Sequence, residues 1–132
     1  MSEPPVIEFH GVAFSFGGRN LLSDVSFQVR RGESVALSGR SGSGKTTLLT
    51  SVVGGAVPCR GTIRLDGTEL APETVAEIRE NVAYIGQEYV LGAETVREAL
   101  LLPFSFKSHR GRTPPDDRIR ATLAELDLHD SI

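Results

Sequence analysis

The sequence predicts an α/β protein with an antiparallel β region at its N-terminus and the start of a helical region at its end. Three observations lead there. Alternating apolar residues fill the first thirty or so positions. A glycine-rich segment, Gly39 to Lys45, lies between an apolar strand-like run and a helix-like run. From Pro72 onward, helix-start signals recur. The chain has 132 residues, 39% of them hydrophobic, which suits one domain with a packed core.

The elements follow in order. "VIEFHGVAFSF" (6–16) reads as one or two strands broken near Gly11, with Ile7 and Phe9 alternating with Glu8 and His10. "GGRN" is a turn, because glycine and asparagine tolerate positive φ. "SDVSFQVR" places Val25, Phe27 and Val29 on one face. After the turn "RGE", the run "SVALSG" (34–39) reads as a short buried strand. A helix is expected from Lys45 to Val53, closed by Gly54 and Gly55. "GTIRLDGTEL" is a hairpin turning at Asp66-Gly67. Pro72 opens a helix carrying Val75, Ile78 and Arg79. "NVAYIGQ" (81–87) reads as a second apolar strand, with Tyr84 in the core. "TVRE" (95–98) is a capping box that opens a short helix ended by Pro103. Thr113, Pro114 and Asp116 open a last helix with Ile119, Leu123 and Leu126 on one face.

Composition narrows the function. A formal charge of −3 gives no general attraction to nucleic acid or to anionic membranes. The basic run Lys107, His109, Arg110 and Arg112 reads as a solvated loop, so no nucleic-acid partner is expected. The lone cysteine, Cys59, cannot form an internal disulfide, which fits a reducing compartment. The N-terminus lacks the basic and apolar regions of a signal peptide. No apolar run approaches the roughly 18 residues of a membrane span. His10, His109 and His129 do not have metal-ligand spacing.

One motif carries chemistry. Gly39-Arg40-Ser41-Gly42-Ser43-Gly44-Lys45-Thr46 matches G-x-x-x-x-G-K-[ST], the phosphate loop. Backbone N–H groups can wrap a phosphate chain only where side chains leave room, hence the glycines. The helix opening at Gly44–Lys45 points unpaired N–H groups and its positive end at the anion. Lys45 reaches toward the β- and γ-phosphates, Thr46 offers a hydroxyl to Mg²⁺, and Thr47 continues the cradle. Chance alone would produce this pattern in roughly 1 in 200 chains of this length. The strand-like run before it and the helix-like run after it make a mere flexible loop the poorer reading. Phe16, just before Gly17-Gly18, either stacks on a purine or belongs to the core with Phe9 and Phe14. Gln87 either ends a strand unremarkably or presents an amide to a ligand, a water or Mg²⁺.

In order and spacing, "VAFSFGGRNLLSDVSFQVRRGESVALSGRSGSGKTTLL", "GTIRLDGTEL", "IRENVAYIGQE" and "ETVREAL" resemble the ATP-binding domain of ABC (ATP-binding cassette) proteins. The resemblance runs from Val6 to about Ile132. It implies a P-loop NTPase fold of ABC type, with a β region over 1–36, a phosphate-loop core over 37–87 and the start of a helical subdomain over 88–132. It puts Phe16 at the adenine-stacking position and Gln87 at the Q-loop glutamine, beside Mg²⁺ and toward a membrane partner. ATP and Mg²⁺ are then the cofactors, held by Gly39 through Thr47, with Lys45 and Gln87 in catalytic roles. The implied partners are a transmembrane permease and a second ATP-binding subunit in a head-to-tail dimer, on the cytoplasmic face of the cell membrane. The family's LSGGQ-like signature, Walker B strand and switch histidine do not occur before Ile132, and Ala99 stands where members often have asparagine. The chain therefore resembles the N-terminal half of such a domain, a half not expected to hydrolyse ATP alone. "LLPFSFKSHRGRTPPD" resembles ATP-binding subunits of bacterial iron or metal exporters. A short nucleotide-binding chain without hydrolysis and a small P-loop kinase are the alternative readings; the antiparallel opening strands speak against the kinase.

Overall fold

The computed structural model describes residues 4–87 and 92–128, and the chain divides into two compact units, Met1–Tyr84 and Ile85–Ile132. In the first unit, β1 (Ile7–Phe16) and β2 (Arg19–Val29) form a long antiparallel hairpin. β3 (Arg60–Leu65) pairs with the other edge of β1, and the two-residue β4 (Thr68–Glu69) pairs with β3. The sheet order is β2-β1-β3-β4. Two short helices, α1 (Lys45–Ser51) and α2 (Val75–Glu80), complete the unit.

β1 is one strand rather than two. The expected break at Gly11 is a bulge: the register passes from Phe9↔Phe27 to Val12↔Val25, so β1 carries one extra residue there. The Gly11 amide, displaced from the ladder, donates to Ser26 Oγ at 2.8 Å. The extra residue shifts the alternation by one, so Phe9, Val12 and Phe14 all point inward, at 1%, 0% and 2% exposure. Phe9 stacks on Phe27 with ring centroids 4.6 Å apart. Leu48, Ile63, Leu65 and Ile78 fill the rest of this core. The hairpin at Asp66-Gly67 has positive φ at both residues, 45° and 79°, as a two-residue turn matched to strand twist requires.

Two expected strands do not form. Residues 34–39 have no regular structure, 81–87 run from a turn at Asn81 to a bend at Gln87, and among the described residues neither segment pairs with a strand. Val35 is 56% exposed and Tyr84, expected in the core, 46%. The reason is physical: an apolar run of this kind is a strand only when neighbours bond to its edges and helices cover its faces. An apolar cleft of about 210 Å³ lies open between the sheet, Val35, Leu37 and the flank of α1, lined also by Phe9 and Phe27.

In the second unit, α3 (Val96–Leu101) starts at the predicted capping box. Thr95 Oγ1 accepts from the Glu98 amide at 3.2 Å, and Glu98 Oε2 accepts from the Thr95 amide at 3.3 Å. The chain then tightens into a 3₁₀ turn, Leu102–Ser105, with Pro103 at its start, followed by a second, Lys107–His109. α4 (Asp116–Glu125) buries Ile119 and Leu123. Leu126 lies just past the helix end and is 64% exposed, so it does not continue the buried face. Arg97 donates to Asp116 at 2.7 Å, tying α3 to the start of α4. Among the described residues, no helix is long and apolar enough to cross a membrane.

Candidate functional site

The site begins where the segment after Leu37 turns into α1. Between Glu33 and Asp66 the sequence contains no carboxylate, whereas it contains Arg40 and Lys45. The loop therefore offers hydrogen-bond donors and positive charge without a local acid to neutralise them. The Ser43 amide donates to the Arg40 carbonyl at 3.2 Å and curls the loop, and the Leu48 amide donates to the Gly44 carbonyl at 2.9 Å, the first bond of α1.

Gly44 is the N-cap of α1, at φ 90° and ψ 9°. No side chain hydrogen-bonds to the helix start as a cap, and the first turn carries no acid. The opening amides are thus left for an outside acceptor. A Cβ at Gly44 would lie 2.9 Å from Leu22 Cγ and 3.2 Å from Leu21 Cγ. Glycine is needed here for its dihedral and also because β2 comes up directly beneath it.

Lys45, half-buried, bends back over the loop. Its Nζ donates to the carbonyls of Gly39 and Arg40, both at 2.8 Å, and lies 3.5 Å from Ser43 Oγ. The ammonium is held at the crest of the loop by neutral acceptors, which a phosphate oxygen outcompetes by charge. Arg40, Ser41, Gly42, Ser43 and Thr46 are exposed around it, and Thr47 is half-buried. Thr50 Oγ1 donates back to the Thr46 and Thr47 carbonyls at 2.9 and 3.2 Å, stiffening the first turn of the helix. Donors, hydroxyls and a cation without an acid suit a polyphosphate anion.

Phe16 ends β1 opposite Arg19. It is 71% exposed, in contrast to Phe9 and Phe14 on the same strand, so it is not a core residue. The turn after it, Gly17-Gly18, leads into the strand that carries Leu21 and Leu22. Leu22 is three positions past Arg19, about 10 Å along a strand. The exposed ring and the floor of the loop therefore belong to one hairpin.

Gln87 lies in the second unit, exposed, in a bend rather than at the end of a strand. Leu22 escaped the sequence reading, because nothing local in "NLLSD" reports a contact with residue 44. Arg79, whose Nε donates to the Val53 carbonyl at 2.8 Å beyond the far end of α1, escaped it for the same reason.

Comparison with known proteins agrees with this geometry. Residues 22–132 match the family model described as ABC transporter. The chain is 38% identical over 130 residues to the ATP-dependent lipid A-core flippase of Burkholderia thailandensis, an alignment covering 96% of this chain and 20% of the flippase. It resembles a solved ATP-binding subunit of an ABC transporter with a TM-score of 0.77 and 32% identity, over 93% of this chain and 51% of that one. A bacterial Atm1-family ABC exporter with ATP bound matches with a TM-score of 0.63 and 33% identity, over 69% of this chain and 16% of the exporter. The chain thus spans about a fifth of the length of the flippase it matches. The likeness of residues 101–116 to metal exporters gains only weak support from these relatives.

Proposed function

The chain belongs to the ABC transporter family, with the antiparallel β region and phosphate loop of its ATP-binding fold, and we propose that it binds MgATP to power transport through a membrane partner. The observation that carries this reading is the loop itself: Lys45 is held across it by two carbonyls, above a helix start that no side chain caps. In this reading the backbone amides of Gly42 and of Gly44 to Thr47 take the phosphate oxygens. Lys45 exchanges carbonyl partners for the β- and γ-phosphates, and Arg40, Ser41 and Ser43 line the outer rim. Bound Mg²⁺ would neutralise charge between the phosphates, with the Thr46 hydroxyl and the Gln87 amide as the protein groups that hold it. Phe16 offers an exposed face to adenine. The protein works at the cytoplasmic face of the membrane beside a permease, and two such ATP-binding parts meet head to tail.

The test is Lys45→Ala in the intact protein. Removing one partner of a hydrogen-bonded charge pair costs about 2–5 kcal/mol, roughly 30-fold or more in affinity. Calorimetry should record that loss for ATP, and turnover should vanish. Equal ATP affinity in mutant and wild type rejects the phosphate-loop reading.

A further inference from the structure

α1 has seven residues, a length of about 10 Å. So short a helix is not stable in isolation and takes its direction from what holds it. Leu48 in its middle and Ser51, its last residue, are buried at 7% and 0%. Its N-terminal end bears the phosphate loop. Its orientation is then set by the far end, where the chain leaves through a glycine cap: the Gly54 amide donates to the Ser51 carbonyl at 2.9 Å and the Gly55 amide to the Thr50 carbonyl at 2.8 Å.

The Val53 carbonyl, one residue past the C-cap Val52, is taken by a charged side chain from another helix. Arg79 Nε donates to it at 2.8 Å. The same helix, α2, packs against the cap itself: a Cβ on Gly54, at φ 71°, would lie 2.6 Å from Val75 Cγ2 and 3.6 Å from Arg79 Nη2. α2 is anchored in turn by Ile78, 4% exposed in the core. A guanidinium at the negative end of a helix is also favourable by charge.

We infer that Arg79 is a positioning residue for nucleotide: by fixing the C-terminal end of α1 through Val53, it sets where the loop amides at the other end point. With Leu48 as the fixed middle, α1 behaves as a short lever whose C-terminal end is held by the buried Ser51 together with the Arg79 bond to Val53. Loosening one end displaces the other by a similar distance, and hydrogen bonds to phosphate weaken steeply with misalignment. Arg79 itself touches no ligand. The inference rests on the phosphate-loop reading.

Three forms of the intact protein decide it: wild type, Arg79→Ala and Arg79→Lys. Each is titrated with ATP and with inorganic tripolyphosphate by calorimetry, well below its thermal transition. The Gly42 and Gly44 amide resonances are recorded without ligand. Arg79→Ala should lose about threefold to tenfold in affinity for both ligands, by the same factor, since the defect is on the phosphate side. Its Gly42 and Gly44 resonances should move. Arg79→Lys should recover part of the affinity, because a lysine can still donate to Val53 but lacks the fixed guanidinium plane. If Arg79→Ala lowers only the unfolding temperature, with both affinities and both resonances unchanged, the inference is wrong. Should Arg79→Ala fail to fold, Arg79→Lys decides alone: wild-type affinities and unmoved resonances overturn the inference, whereas a smaller loss common to both ligands upholds it. Failure of the wild type to bind either ligand would overturn the phosphate-loop reading, and the role of Arg79 with it.

Discussion

Replacing Gly44 by alanine tests the packing beneath the phosphate loop. Two penalties add. An L-residue held in the left-handed region costs about 1–2 kcal/mol, and Gly44 sits at φ 90°. The new Cβ would also lie 2.9 and 3.0 Å from Leu22 Cγ and Cδ1 and 3.2 Å from Leu21 Cγ. Cγ is the branch point of the side chain rather than its free end, so the leucines cannot simply swing aside. Overpacking of this kind costs about 1–3 kcal/mol. The sum, roughly 2–5 kcal/mol, is a large share of a stability that is typically 5–15 kcal/mol. Gly44→Ala should therefore lower the unfolding temperature and weaken ATP binding, since relief of the clash moves the helix start. Leu22→Ala separates the two penalties. It removes the two shorter contacts and leaves the dihedral and the Leu21 contact, so Gly44→Ala/Leu22→Ala should be about 1–3 kcal/mol less destabilised than the two single changes added together. Denaturant unfolding of all four forms gives the coupling energy. Strict additivity would mean that Leu22 does not limit the space at residue 44. Wild-type stability and ATP affinity in Gly44→Ala would refute the whole account of the loop's floor.

Phe16→Ala should weaken ATP binding by about 1–3 kcal/mol, while Phe16→Tyr and Phe16→Trp retain it. At 71% exposure the substitution should leave the nucleotide-free unfolding transition nearly unchanged, and a lost transition would return Phe16 to the core. Thr95→Ala removes the side-chain half of the capping box and should cost about 0.5–2 kcal/mol, read by chemical denaturation; Thr95→Ser should restore most of it, and equal stability of all three would mean that the box does not hold α3.

The sequence by itself determined the features whose causes lie within a few residues. The Asp66-Gly67 turn, the Gly54 cap and the Thr95–Glu98 box are each a short pattern whose hydrogen bonds close locally, and each appears where the sequence puts it. The buried face of α4 was legible as far as Leu123, where the helical period still applied, and failed at Leu126, beyond the helix end. Only the tertiary structure decided what depends on distant partners. Alternation past the bulge gives Phe16 the same parity as the buried Val12 and Phe14, yet Phe16 is the last residue of β1 and stays 71% exposed, so how far the core extends along the strand decided it. Apolar runs also suggested strands at 34–39 and 81–87, but a strand is made by neighbours that bond to its edges, and composition cannot supply those. Leu22 beneath Gly44 and Arg79 on Val53 are contacts between segments more than twenty residues apart, and no local preference reports them. The sequence names the groups that would meet a phosphate; the packing of β2 and α2 against the two ends of α1 decides how those groups are aimed.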